Sequence, residues 1–223
     1  MALSPMEINP EMLNKLLKKV GVSPTVKFVD VLGFESDYLK SFSHDVCAVL
    51  LLFPLTQQHE EFRKKQDDEH KDKEPDAKVY FMKQTMENSC GIVGLIHATA
   101  SNKDKLSFDK DSALKNFLDK SADASPDDRA KLLEENKVLC SAHNSIAAEG
   151  HCRPSEDGVH FHLIVFTNVN GHLYEIDGLT AKPIDHGPTK GTLLEGASKI
   201  CKQFTEREVG DVRFSSVALV KAA

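Results

Sequence analysis

The chain reads as an α/β or α+β protein forming one domain over residues 1–223. Three observations predict this class. Stretches with helical spacing alternate with short apolar runs of strand length from end to end. Residues 46–53 are apolar throughout, which suits a strand buried on both faces of a sheet. A length of 223 residues with 40% hydrophobic and 28% charged side chains can bury one sizeable core.

The elements follow in order. Asn9 can cap a helix with Pro10 at its first position, Leu13, Leu16 and Leu17 as its apolar stripe, and Gly21 as its stop. Residues 28–32 and 46–52 read as strands, the second central. Residues 60–78 are mostly charged and read as a solvated helix running into a loop near Pro75. Residues 79–82 look like a short strand. Asn88 or Ser89 can then cap a helix from Cys90 that Ile92, Val93, Leu95 and Ile96 make largely buried. Ser125-Pro126-Asp127-Asp128 combines a hydroxyl cap, a first-turn proline and two acids, so a helix starts there and runs to Gly150. Ser125-Pro126 also has the form of a phosphorylation site. An irregular stretch, 151–158, precedes strands at 161–166 and 172–176, a helix at 192–206 and a last strand at 212–219.

Charge and termini exclude several classes. A net charge of −6 is a poor match for a nucleic-acid backbone. The first ten residues lack the pattern of a signal peptide, and the longest apolar run is far too short to span a bilayer. Val220 stands where a cysteine would complete a prenylation box. A soluble, cytoplasmic protein without a membrane anchor is expected. The five cysteines are odd in number and include no Cys-x-x-Cys pair, against both a disulfide framework and a zinc site, and no cofactor is expected.

Cys47, Cys140, Cys152 and Cys201 lack a supporting context, and the ordinary fate of a lone cysteine is inert burial. Cys90 opens a buried helix, where the dipole and free N–H groups favour thiolate, and Gly91 leaves room for a substrate. Gln84, six residues upstream, could donate to a developing oxyanion together with the Cys90 N–H, as in papain-like peptidases. Asn170-Gly171 is the strongest hairpin signal in the chain. In that register paired positions sum to 341, so 177 faces 164, and His162 and Asp177 are diagonal neighbours on one face. Asp177 would orient the imidazole, and His162 would take the thiol proton. His160 shares that face and keeps a metal pair open. His97 reads as a packed core histidine, and His172 as exposed.

Val79-Tyr80-Phe81-Met82-Lys83-Gln84-Thr85, Asn88-Ser89-Cys90-Gly91, Gly94-Leu95-Ile96-His97, Gly171-His172-Leu173-Tyr174-Glu175-Ile176-Asp177-Gly178 and Glu206-Arg207 resemble the ubiquitin carboxyl-terminal hydrolases, a likeness that runs end to end. The resemblance implies one catalytic domain over 1–223: an α-β-α sandwich with a mainly antiparallel sheet, papain-like, with a knotted backbone. It implies a thiol hydrolase that releases small adducts from ubiquitin's carboxyl terminus through a thioester. Cys90 matches the nucleophile, His162 the base, Asp177 the orienting acid and Gln84 the oxyanion donor. Pro5, Met6, Glu7, Ile8, Asn9 and Pro10, with Asp211, Val212, Arg213, Phe214, Ser215 and Ser216, match segments that touch ubiquitin. The segment 151–158 would arch over the site and admit only small or unfolded leaving groups. The chain departs from the family at Ile92, where threonine is usual, at Leu179, where arginine is usual, and before Phe28, where Val26 or Lys27 replaces a tryptophan. Ubiquitin is the expected partner, and a homodimer stays open. Two rival readings remain: a ubiquitin-binding protein with weak or no turnover, and another thiol acyl-transfer enzyme of the same residue order.

Overall fold

A computed structural model describes residues 2–152, 160–208, 210 and 213–222. Six strands, β1 (Val26–Asp30), β2 (Val46–Pro54), β3 (Phe161–Val169), β4 (His172–Ile176), β5 (Ile184–Pro188) and β6 (Ser215–Lys221), form one sheet in the order β1-β6-β2-β3-β4-β5. Every neighbouring pair is antiparallel. The last strand therefore lies between the first two.

Side chains alternate between two cores. Leu50, Leu163, Val165, Val217 and Leu219 point into one layer, and Val49, Leu51, Ile164, Phe166 and Ala218 into the other. The first layer holds α1 (Pro10–Lys19), α4 (Cys90–Ala100), α5 (Ala113–Lys120), α6 (Pro126–Glu135) and α7 (Lys137–Ala147). The second holds α8 (Leu193–Arg207), with α2 (Ser36–Ser41) packed against it. A further helix, α3 (Gln57–His70), follows β2 directly. Burial on both faces explains the unbroken apolar run in β2.

Several boundaries differ from the sequence reading. Residues 79–82 form no strand, because neighbours from elsewhere satisfy the backbone of residues 79–84. The Met82 N–H donates to His97 Nε2 (3.1 Å), Lys83 N–H to Pro126 O (3.2 Å) and Gln84 N–H to Gly178 O (2.9 Å), while Arg129 donates to Phe81 O (2.8 Å). The helix expected over 125–150 is two helices. Asn136, with ψ of 86°, ends α6, and its side chain accepts from Leu139 N–H to start α7. Ser125 caps α6 by accepting from the Asp128 N–H. The short elements α2, α5 and β5 lie where no element was expected. The segment expected at 151–158 falls largely outside the described residues, as do Asp211 and Val212.

Candidate active site

Cys90 is the first residue of α4. Ser89 precedes it without placing its hydroxyl on the first turn; that hydroxyl donates to Met86 O (2.6 Å). The amides of Cys90 and Gly91 thus stay directed at the sulfur, where they favour thiolate. Burial outweighs them and pushes the thiol up to about 11, which reverses the thiolate character expected from the helix start alone. Cys47, Cys140 and Cys201 are buried, and Cys152 is exposed.

Gly91 serves a different purpose from the one its position suggests. A Cβ there would lie 2.6 Å from Met6 Cε and 3.2 Å from Ile8 Cδ1. The missing side chain makes room for the chain's own N-terminal segment. That segment is strapped down by Ser4 N–H to Asn144 Oδ1 (2.9 Å), Asn144 Nδ2 to Ala2 O (2.9 Å) and Asn88 Nδ2 to Leu3 O (3.0 Å), with His143 Nε2 against Ser4 O (2.9 Å). Glu7 accepts from the His151 N–H (3.1 Å), and Asn9 caps α1. Met6 is buried, Pro5 is exposed, and Glu7, Ile8, Asn9 and Pro10 are half-buried. At the other expected contact segment, Arg213 and Phe214 are half-buried and Ser215 is exposed, while Ser216 is buried and donates to Leu50 O (3.0 Å).

The hairpin carries the acid and the imidazole. Asn170 (φ 50°) and Gly171 (φ 83°) make a two-residue turn with left-handed backbone at both positions, and the ladder pairs Val169 with His172 and Val165 with Ile176, the register that the turn predicts. Asp177, just past β4, accepts from His162 through Nε2 at 2.6 Å. That leaves Nδ1 of His162 as the nitrogen available to a thiol. His162 lies on the strand face of Ile164 and Phe166, in the α8 layer, whereas Cys90 packs against the other layer. The two halves of the site thus come from opposite faces of the sheet, and among the described residues no hydrogen bond joins Cys90 to His162.

Asp177 is itself held. Leu179 N–H donates to Oδ1 (2.9 Å), and Arg63 Nη2 to Oδ2 (3.0 Å). Arg63 also pairs with Glu175 (2.6 Å), whose other oxygen meets His186 Nε2 (2.8 Å). Burial alone would raise both carboxyls. Attraction to His162 and Arg63 outweighs it for Asp177, and attraction to Arg63 and His186 outweighs it for Glu175, so both sit well below the usual carboxylate range, Glu175 at about 2. Arg63 belongs to the segment expected to be a solvated helix. Its helix instead buries His59, Arg63 and Gln66. Those polar residues recur at helical spacing, a signal that a search for apolar periodicity passes over. His59, tilted against Phe53 (4.6 Å) and Phe204 (5.6 Å), is pushed down to about 3 by burial and by Arg63.

Gln84 is positioned from behind. Its N–H bond to Gly178 brings the two residues so close that a Cβ on Gly178 would fall 2.8 Å from Gln84 Cβ. The side-chain oxygen of Gln84 is buried without a hydrogen-bond partner. His97 is a core residue: its Nε2 accepts from Met82, and burial lowers it to about 4. His172 is half-exposed and pairs with Asp185 (2.9 Å) rather than standing free. No helix among the described residues is long and apolar enough to cross a membrane.

The raised thiol has a direct consequence. At pH 7.5 the thiolate fraction of Cys90 in the free protein is roughly a hundredfold below that of a thiol at the ordinary value. Alkylation of Cys90 by iodoacetamide, followed by peptide-resolved mass spectrometry, should be correspondingly slow and rise about tenfold per pH unit up to pH 10. A rate at pH 7.5 equal to that of free cysteine would contradict the burial argument.

A family model described as ubiquitin carboxyl-terminal hydrolase, family 1, matches residues 3–206. The chain is 58% identical over 224 residues to ubiquitin carboxyl-terminal hydrolase isozyme L1 of Macaca fascicularis and 57% identical to that of Homo sapiens, with 100% of each chain covered. Its fold is similar to the catalytic domain of Trichinella spiralis UCH37 bound to ubiquitin vinyl methyl ester, with a TM-score of 0.78 at 20% identity, covering 100% of this chain and 97% of that one.

Proposed function

Since the chain belongs to the ubiquitin carboxyl-terminal hydrolase family 1, we propose that it is a cysteine-type deubiquitinase that releases small adducts from ubiquitin's terminal glycine. The observation that carries the reading is His162 held by a buried Asp177, with a cysteine at a helix start to receive it. Substrate binding brings His162 Nδ1 to the thiol, as catalytic hydrogen bonds commonly tighten only in the complex. The imidazole takes the thiol proton, and the sulfur attacks the glycine carbonyl. The Cys90 N–H and the Gln84 amide receive the negative oxygen. Collapse of the tetrahedral intermediate expels the adduct, which takes the proton from His162. Asp177 stabilises the imidazolium throughout. Water, deprotonated by His162, then hydrolyses the thioester. Pro5 to Pro10 and Asp211 to Ser216 are proposed to meet ubiquitin, with Met6 and Asn9 acting through the strap and the α1 cap.

A ubiquitin derivative with a thiol-reactive carboxyl terminus tests this. The expected result is a one-to-one adduct on Cys90 that Cys90→Ser abolishes. Tight binding of ubiquitin without any adduct would favour a binding protein instead.

A further inference from the structure

We propose that Leu179 selects the leaving group, as a rigid apolar contact for the first residue beyond ubiquitin's terminal glycine; this rests on the deubiquitinase reading above. Leu179 is one of three large hydrophobic side chains that stand exposed among the described residues, at 53%. The other two are Leu32, between β1 and α2, and Val138, in the first turn of α7. Exposing an apolar side chain forgoes the stabilisation its burial would bring, so one fixed beside reacting groups is available to a ligand.

The turn that carries it is pinned from several directions. Asp177 O accepts from the Thr180 N–H (3.1 Å) and hydroxyl (2.8 Å). Lys83 Nζ donates to the carbonyls of Thr180 (2.9 Å) and Ala181 (3.1 Å), which commits its charge to the turn. Gly178 O takes the Gln84 N–H, and the Leu179 N–H goes to the same oxygen of Asp177 that holds His162. Leu179 is thus one residue from contact with Gln84 and bonded to the carboxylate behind the base. A carbonyl held between Cys90 and Gln84 must direct its leaving atom toward His162, which protonates it. The turn that carries Leu179 is bonded to the carboxylate that holds this base. The ubiquitin side of the scissile bond is the same in every substrate, so a contact here can discriminate only among leaving groups. An aliphatic or aromatic residue covers Leu179, whereas an acidic one would be desolvated against its apolar side chain.

The experiment compares two adducts of ubiquitin's terminal glycine, leucinamide and aspartic acid α-amide, by kcat/KM. The wild-type chain should favour the leucyl adduct by roughly five- to tenfold. Leu179→Ser should bring the two within about twofold, and Leu179→Met should restore the preference. An unchanged ratio in Leu179→Ser, with Cys90 still labelled by the thiol-reactive ubiquitin probe, overturns the assignment of Leu179 alone. Failure of the wild-type chain to label overturns the deubiquitinase reading and this inference with it.

Discussion

Replacing Arg63 with methionine is expected to lower the unfolding free energy by about 3–5 kcal/mol, among the largest effects of any single substitution in this chain. The guanidinium lies between two buried carboxylates, Asp177 and Glu175, that are fully removed from solvent on the same side of the sheet. Methionine fills a similar volume but leaves Asp177 with His162 and the Leu179 N–H, and Glu175 with His186, and no guanidinium bonded to either. They must then protonate or draw in water, and either outcome weakens the hold of Asp177 on His162. Urea denaturation measures the stability and turnover of a fluorogenic ubiquitin amide measures the site. The pair Arg63→Met with Glu175→Gln should lose less than the sum of the two single losses, because the second change removes the charge that the first leaves exposed to apolar surroundings. A loss below 1 kcal/mol in Arg63→Met would show that the carboxylates do not depend on this cation.

Asp177→Ala should reduce kcat by a factor on the order of 10⁴, with little change in ubiquitin affinity. The carboxylate is surrounded by donors: His162 and the Leu179 N–H on one oxygen, Arg63 on the other. Alanine leaves the imidazole without the acceptor that fixes its tautomer. Asp177→Asn should retain more activity. Its oxygen can still accept from His162 and Leu179, provided that its N–H₂ is turned against Arg63. The expected order of kcat is therefore wild type, asparagine, alanine, with asparagine less stable than wild type. Equal kcat in the alanine variant and wild type would remove Asp177 from the mechanism.

The relation between His162 and Asp177 was legible because it depends on local rules. A two-residue turn with a glycine fixes a register, and the register fixes which side chains share a face. Cys90 was legible for the same reason, as a helix start read from neighbouring residues. Arg63 and Glu175 were not, because their pairing joins α3 to β4 across 112 positions and the charges that signal it look like any solvated helix face. The short strand expected at residues 79–82 failed because its backbone partners are a histidine, a helix end and a turn, none of them a neighbouring strand. Gly91 misled because sequence cannot say which chain approaches a bare Cα. The approaching chain is the N-terminus, separated from α7 by about 140 positions. The break at Asn136 escaped because its caps are side-chain bonds within an otherwise helical pattern.

The seat of β6 bears on how the chain must be made. Residues 215–221 pair with residues 26–30 on one side and with β2 on the other. A chain emerging from the ribosome therefore holds β1 and β2 apart, with an apolar edge of β2 open, until residues 215–221 have emerged. Contacts of such sequence separation close slowly, and an unfilled edge of that composition invites pairing with other chains. Loss of β6 would leave a gap beside β2 in the interior of the sheet, so termination before residue 215 should yield aggregate rather than a merely shortened protein.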